Sequence, residues 1–168
     1  AVLDDVDLDS IAEREAITRH DVKARIEEFN ALAGHEHIHK GMTSRDLTEN
    51  IEQMQVLESL RLVRDKMVAT LNQLSRLAAQ FSDQAIAGRS HNVAAQVTTL
   101  GKRFATAIDE MLVAWDHVNE LIERYPARGI KGPMGTAQDM LDLLGGDESK
   151  LDDLEHGVAD HLGFNQVL

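Results

Sequence analysis

Apolar side chains recur every three or four residues through Leu47, Ile51, Met54, Leu57, Leu60, Val63, Met67, Leu71, Leu74, Ala78 and Phe81. That spacing is one face of an α-helix, and its run is roughly three times the mean length of a globular helix. A second stripe follows at Val97, Leu100, Phe104, Ile108, Met111, Trp115, Val118 and Ile122, and stops at Tyr125-Pro126. Between them Gly88-Arg89-Ser90-His91-Asn92 breaks the pattern. The spacing predicts two long helices joined by a short loop and packed antiparallel, with His91 at one end of the pair. Helices of this length belong to a long bundle or coiled coil, and half a bundle cannot bury both of their faces. The fold class is therefore all-α.

Capping signals divide the remainder. Thr18 and Asp21 fit a capping box, a hydroxyl with an acid three residues on. They predict a helix from Arg19 to about Leu32, ended by Gly34, with His20 in its first turn. Thr43-Ser44-Arg45-Asp46 is a second capping box and opens the long stripe. Residues 1–15 are acidic and weakly patterned, as in a solvated helix end or a frayed terminus. Residues 126–138 read as an irregular glycine-rich connection, whose exposed amides and Lys131 are also able to cradle an anion. A short helix is expected over 137–144, ending at Gly145-Gly146, and another to about Leu162. Residues 164–168 have no pattern.

Composition narrows the chemistry. Of 168 residues 43% are hydrophobic but only 4% aromatic, so the core is aliphatic, as in helix bundles. The absence of cysteine excludes disulfides and thiolate metal sites. No apolar run approaches a membrane span and no signal peptide stands at the start, so a soluble, cytoplasmic protein is the expectation. The net charge of −12 sits at the ends, because residues 16–138 hold acids and bases in equal number, 15 each. Nucleic-acid binders carry the opposite sign; an anionic small substrate needs only local positive groups.

Two histidines, His20 and His91, each stand beside a hydroxyl residue and an arginine. Histidine titrates near neutral pH and is the natural proton donor or acceptor there. His35, His37 and His39 alternate, and on an extended chain they point one way. A zinc site needs a fourth ligand and a rigid frame, so this segment is expected to bind no structural metal and to carry polar residues into a cleft.

Four pieces then occur in order: Arg19-His20-Asp21-Val22, Lys40-Gly41-Met42-Thr43-Ser44, Gly88-Arg89-Ser90-His91 through Thr98-Thr99-Leu100-Gly101-Lys102-Arg103, and Lys131-Gly132-Pro133-Met134-Gly135-Thr136. With them the chain resembles the adenylosuccinate lyases of the fumarase/aspartase superfamily. The resemblance implies elimination of fumarate from a succinylamino purine nucleotide and from its imidazole-carboxamide precursor, without cofactor or metal. It implies that His91 is the general acid for the leaving nitrogen, and that His20, with Arg19 and Asp21, binds and orients the substrate. It implies too that Thr43 and Ser44 hold a substrate carboxylate; Ser90 stands where the family often has threonine. It further implies a homotetramer with shared active sites, and no nucleic-acid or membrane partner. Residues 1–45 are the end of an N-terminal helical domain and 46–168 the first part of the central bundle. The family's base is a serine on a glycine- and serine-rich loop with a Met-Pro-x-Lys pattern. No such segment lies in these 168 residues, so the chain reads as an excerpt expected to lack turnover by itself. The long helix, at about 1.5 Å per residue, separates Thr43 from His91 by tens of ångströms, so the site is expected to draw on more than one copy.

Overall fold

The computed structural model describes residues 3–168. After a 3₁₀ turn at Leu3–Asp5 come helices α1 (Leu8–Thr18), α2 (Asp21–Ala33) and α3 (Ser44–Gln80), strands β1 (Ala85–Ser90) and β2 (Val93–Thr99), and helices α4 (Leu100–Arg124), α5 (Gln138–Leu143) and α6 (Glu148–Leu162). The protein is thus all-α but for one two-stranded sheet. None of the described helices is long and apolar enough to cross a membrane. The chain forms two compact units: the segment up to Gln55 together with Pro126–Leu168, and Val56–Tyr125.

In the first unit, α1 is a complete helix rather than a frayed end. Asp7 caps it by accepting from the amides of Asp9 and Ser10, and it packs on α2. The link between the two is polar. Glu28 of α2, only 5% exposed, accepts from the Ser10 hydroxyl at 2.6 Å and from Arg14 Nε at 3.0 Å. The bond from Ser10 acts against the cost of burial and, with Arg14, holds the Glu28 carboxyl below its usual range.

The capping box expected at Thr18 is not formed. Thr18 is the last residue of α1, and Arg19 closes that helix in the left-handed region, φ 53°. α2 therefore begins two residues later than its sequence suggests, and His20 precedes the first turn. Gly34, φ 72°, ends α2 as expected, its N–H donating to the Asn30 carbonyl. The rest of the core comes from α2, the segment after α4, and the last two helices: Ala24, Ile26, Ala127, Ile130, Ala137, Met140, Ala159 and Phe164 are buried. The patternless tail has a place too. Val167 pairs with Ala127 in a parallel bridge, and the Ala127 and Leu168 amides bond to Gln166 and Ala127 carbonyls.

In the second unit the connection between the long stripes is a β-hairpin and not a short loop. Ser90 pairs with Val93 and Ala85 with Thr99, with a bulge between Gly88 and Arg89. Val97, read as the start of the second helix, lies in β2 and is 81% exposed. Helix α4 begins at Leu100, capped by the Thr99 hydroxyl, which accepts from the Lys102 N–H at 3.1 Å. The β-branched residues Val93, Val97, Thr98 and Thr99 favour the extended backbone that a helical reading overlooks.

Gly101 fixes the junction of α3 and α4. It is buried, its N–H donates to the Phe81 carbonyl at 2.8 Å, and the rings of Phe81 and Phe104 lie 6.2 Å apart beside it. A Cβ here would stand 2.4 Å from the Ala78 carbonyl oxygen and 2.8 Å from Phe81 backbone atoms. Alanine in a helix gains about 1 kcal/mol over glycine in propensity, but overpacking against backbone that cannot turn aside costs about 1–3 kcal/mol or more. Gly101→Ala is therefore expected to lower stability, read as a lower denaturant midpoint at unchanged slope. A raised midpoint, as for an open helical glycine, would contradict this packing.

Candidate functional site

One face of α2 carries His20, Lys23, Ile26, Glu27 and Asn30 at helical spacing. These residues line an open cleft of about 600 Å³ within the first unit. Glu36, Ile38, His39, Lys40 and Met42 follow from the connection to α3. Thr43 and Ser44 stand at the first turn of α3, and Pro133 and Asp139 complete the wall. Imidazoles and ammonium groups (His20, His39, Lys23, Lys40) mingle with three carboxylates. Lys23 Nζ has only a loose partner, Glu27 at 3.8 Å. The cleft also meets the N-terminus of a 37-residue helix, whose dipole favours negative charge there.

His20 holds its place by capping. Its Nδ1 accepts from the Lys23 N–H at 3.2 Å, and its backbone is extended at φ −149°. An N–H aimed at Nδ1 requires that nitrogen to be unprotonated, so the neutral ring carries its proton on Nε2. Arg19 and Asp21 flank His20 in the chain without lining the cleft. Asp21 lies 3.6 Å from His20 Nδ1 and 3.7 Å from Arg25.

The start of α3 is set by Asp46, whose side chain has no exposed surface. One carboxylate oxygen accepts from Arg128 Nε and the Lys131 N–H, each at 3.1 Å. The other accepts from the Thr43 and Gly132 N–H groups, each at 3.0 Å. Burial alone would push the Asp46 carboxyl up. The Thr43 amide, the Arg128 guanidinium and the two loop amides outweigh it and hold the group below its usual value. Arg128 also bonds Glu49. Buried Asn50 ties in the same loop, its side-chain amide donating to the Gly129 carbonyl at 2.9 Å and accepting the Gly129 N–H at 3.2 Å. The glycine-rich loop does cradle an anion, but that anion is the protein's own Asp46. Lys131 Nζ is likewise taken, pairing with Glu155 at 2.8 Å.

Ser90 and His91 lie in the second unit. His91 and Asn92 are the two turn residues of the hairpin, with φ of 50° and 65°. Two successive positive φ values are those of a type I′ turn. Arg89 Nη1 donates to the Asn92 carbonyl at 3.1 Å across it. His91 is exposed at a hairpin tip, not in a loop at a helix start. The His35–His39 segment is not extended either. His39 takes φ 75° and Gly41 φ 67°, and the Met42 N–H closes a turn on the His39 carbonyl. The His35 and His37 rings lie against each other, centroids 4.6 Å apart and tilted by 32°, while His39 lines the cleft. Among the described residues no cluster of His, Asp and Glu is arranged to hold a metal.

Of the residues singled out in the sequence, the structure brings His20, Thr43 and Ser44 to one cleft. The sequence reading passed over Lys23 and Asn30, whereas the link holding His39 was expected to carry polar residues into a cleft, and His39 and Lys40 do line it. Lys23 and Asn30 repeat the three- and four-residue spacing of His20 along α2, a polar stripe that periodicity exposes once the helix start is placed correctly.

Comparison with known proteins bears on the same segments. A lyase family profile, Lyase_1, matches residues 1–140. The adenylosuccinate lyase of Saccharomyces cerevisiae is 36% identical over 160 residues, 92% of this chain and 32% of that protein. That of Schizosaccharomyces pombe is also 36% identical, over 93% of this chain and 33% of its own. The chain thus spans about a third of the length of these curated relatives. A fumarate lyase structure from Mesorhizobium sp. BNC1 shares the fold at a TM-score of 0.80 and 20% identity, covering 96% of this chain and 37% of that one.

The capping role of His20 separates from any chemistry it performs. Replacing it by asparagine, a strong N-cap, is expected to leave thermal stability within a few tenths of a kcal/mol, whereas His20→Ala costs about 1 kcal/mol. Equal losses in the two variants would show that the His20–Lys23 bond does not secure α2.

Proposed function

Because this chain belongs to the Lyase_1 family of lyases, we propose that it is the part of an adenylosuccinate lyase that carries the substrate-binding histidine cleft and the general acid. The observation that carries this reading is the meeting of His20, Thr43 and Ser44 at one anion-favouring cleft. These residues lie in chains 36% identical to two adenylosuccinate lyases.

The reaction is a β-elimination. A base removes the proton from the carbon beside a carboxylate, that electron pair forms the C=C bond of fumarate, and the C–N bond breaks. The departing purine-borne nitrogen takes a proton. Negative charge builds on the carboxylate during this step, and fixed donors stabilise it without reorganising. Thr43 and Ser44 bind that carboxylate in this reading, which their position in the cleft at the start of α3 supports. With its ring proton on Nε2, His20 is a hydrogen-bond donor toward the cleft and orients the substrate. Arg19 and Asp21 support it from the chain on either side. His91, with Ser90 beside it, supplies the proton to the leaving nitrogen, a task for which an imidazole is suited. The base is contributed by a part of the protein outside these residues, and no cofactor enters.

In this reading residues 1–45 close an N-terminal domain and 46–168 open the central bundle of a homotetramer. Each site is shared, with His91 meeting the cleft of another copy. Apolar side chains left exposed on α3 and α4 support association: Leu62 is 58% and Val113 57% exposed. The protein acts in the cytoplasm in purine nucleotide biosynthesis.

The protein carrying this chain is expected to release fumarate from adenylosuccinate and not from argininosuccinate or malate. His91→Gln should lower kcat by about 10²–10⁴-fold, the range of positioned proton transfer, with little change in substrate affinity. Absence of fumarate release refutes the activity. Near-normal kcat in His91→Gln removes His91 from the acid's role.

A further inference from the structure

Helix starts in this protein are mostly secured by the side chain of the preceding residue. Asp7 accepts from the amides of Asp9 and Ser10, His20 from that of Lys23, Thr99 from that of Lys102 and Asp147 from that of Lys150. Thr43 holds the same position before α3 that Thr99 holds before α4. It carries the same side chain and has an acid three residues on, so a full capping box would have its hydroxyl accept the Asp46 N–H. Only half of that box exists. The Asp46 N–H goes to the Thr43 carbonyl at 3.0 Å, while the Asp46 carboxylate reaches back to the Thr43 N–H at 3.0 Å.

We propose that Asp46 is a positioning residue for the substrate carboxylate: its buried carboxylate holds the Thr43 amide, and so fixes in the cleft wall the residue whose hydroxyl, beside Ser44, meets the ligand. This rests on the lyase reading above and adds a residue to it. The same carboxylate also joins the cleft's two walls. It holds the Thr43 amide on one side and the Lys131 and Gly132 amides on the other, and Pro133, the next residue, lines the cleft. Arg128 and Glu49 brace it from behind, so the carboxylate has no freedom to rotate away. Asparagine in its place would turn an N–H₂ group toward two of these donors. The two walls would then lose part of their attachment, and Thr43 its fixed place between them.

The test is a double-mutant cycle in the protein carrying this chain. Asp46→Asn is expected to raise KM for adenylosuccinate about tenfold or more, the scale of a lost hydrogen bond to a charged group, with a smaller effect on kcat. In a Thr43→Val background the same change should raise KM no further, because the hydroxyl through which Asp46 acts is gone. Equal fold-rises in both backgrounds overturn the proposal and leave Asp46 a purely structural residue. If Asp46→Asn does not fold, Arg128→Gln removes one of the four donors and is read in the same cycle, with a smaller rise that also vanishes beside Thr43→Val. A crystal structure of the substituted protein decides the point without turnover. Thr43 and its hydroxyl should be displaced from their place beside Ser44; an unmoved Thr43 overturns the proposal. Failure of the unsubstituted protein to release fumarate contradicts the functional reading alone.

Discussion

A carboxylate with no exposed surface has lost its hydration, and it remains charged only if fixed donors replace the water. Asp46 meets that condition with three backbone amides and one guanidinium. Two of those amides belong to a loop more than 80 residues further along the chain. The bond set therefore does the work of a long-range crosslink. It seats the 128–132 loop on the first turn of α3, and Asn50, one turn further along α3, repeats the attachment through Gly129. Glu155 of α6 takes the Ile130 amide and the Lys131 ammonium, which extends the same polar framework to the last helix. The first unit is held together as much by this framework as by its small aliphatic core. The cleft walls at Thr43–Ser44 and Pro133 are consequences of it.

Much of this was legible in the chain. The stripe from Leu47 to Phe81 and the stop at Tyr125-Pro126 give α3 and the end of α4 almost to the residue, because a 3.6-residue period sustained that long has no competing reading. Gly34 and the Gly145-Gly146 pair mark helix ends for an equally local reason. The failures are also physical. At Thr18 the capping signal was genuine in composition but lost to a histidine two residues on, because imidazole Nδ1 accepts an amide as a hydroxyl does. At Ala85–Thr99 the alternation of small residues is weak, and the turn His91-Asn92 lacks the glycine that usually announces a type I′ hairpin. The amides of residues 126–138 were read as able to hold an anion along with the Lys131 side chain; they hold Asp46 while Lys131 Nζ goes to Glu155, and a single sequence cannot say which of 29 acids fills such a place.

The two units differ in what stabilises them. The first has a closed core tied by the bonds of Asp46, Asn50 and Glu28. In the second, Leu57 and Ile122 are the buried large aliphatic residues, while Val63, Val68, Leu112 and Val113 remain more than 40% exposed. The stripes themselves are mostly half-buried, and apolar side chains exposed beside them mark a surface built for further helices. The chain's match to about a third of its relatives' length accords with that. The division also distributes the proposed chemistry: recognition of the anionic substrate belongs to the closed unit, and proton delivery to a histidine on a hairpin of the open one.

All of the account passes through the charge on Asp46. Carboxyl carbon NMR of this residue, followed from neutral pH downward in the folded protein, reads that charge directly. The account predicts titration below the ordinary aspartate value of about 3.9. A carboxyl with a depressed folded-state pKa contributes stability that is present above the unfolded-state value and is lost as pH falls through the folded one. Stability should therefore decline in that acid window, and this part of the decline should be missing in Asp46→Asn. Titration at or above the ordinary value, as burial without adequate donors would give, would contradict it.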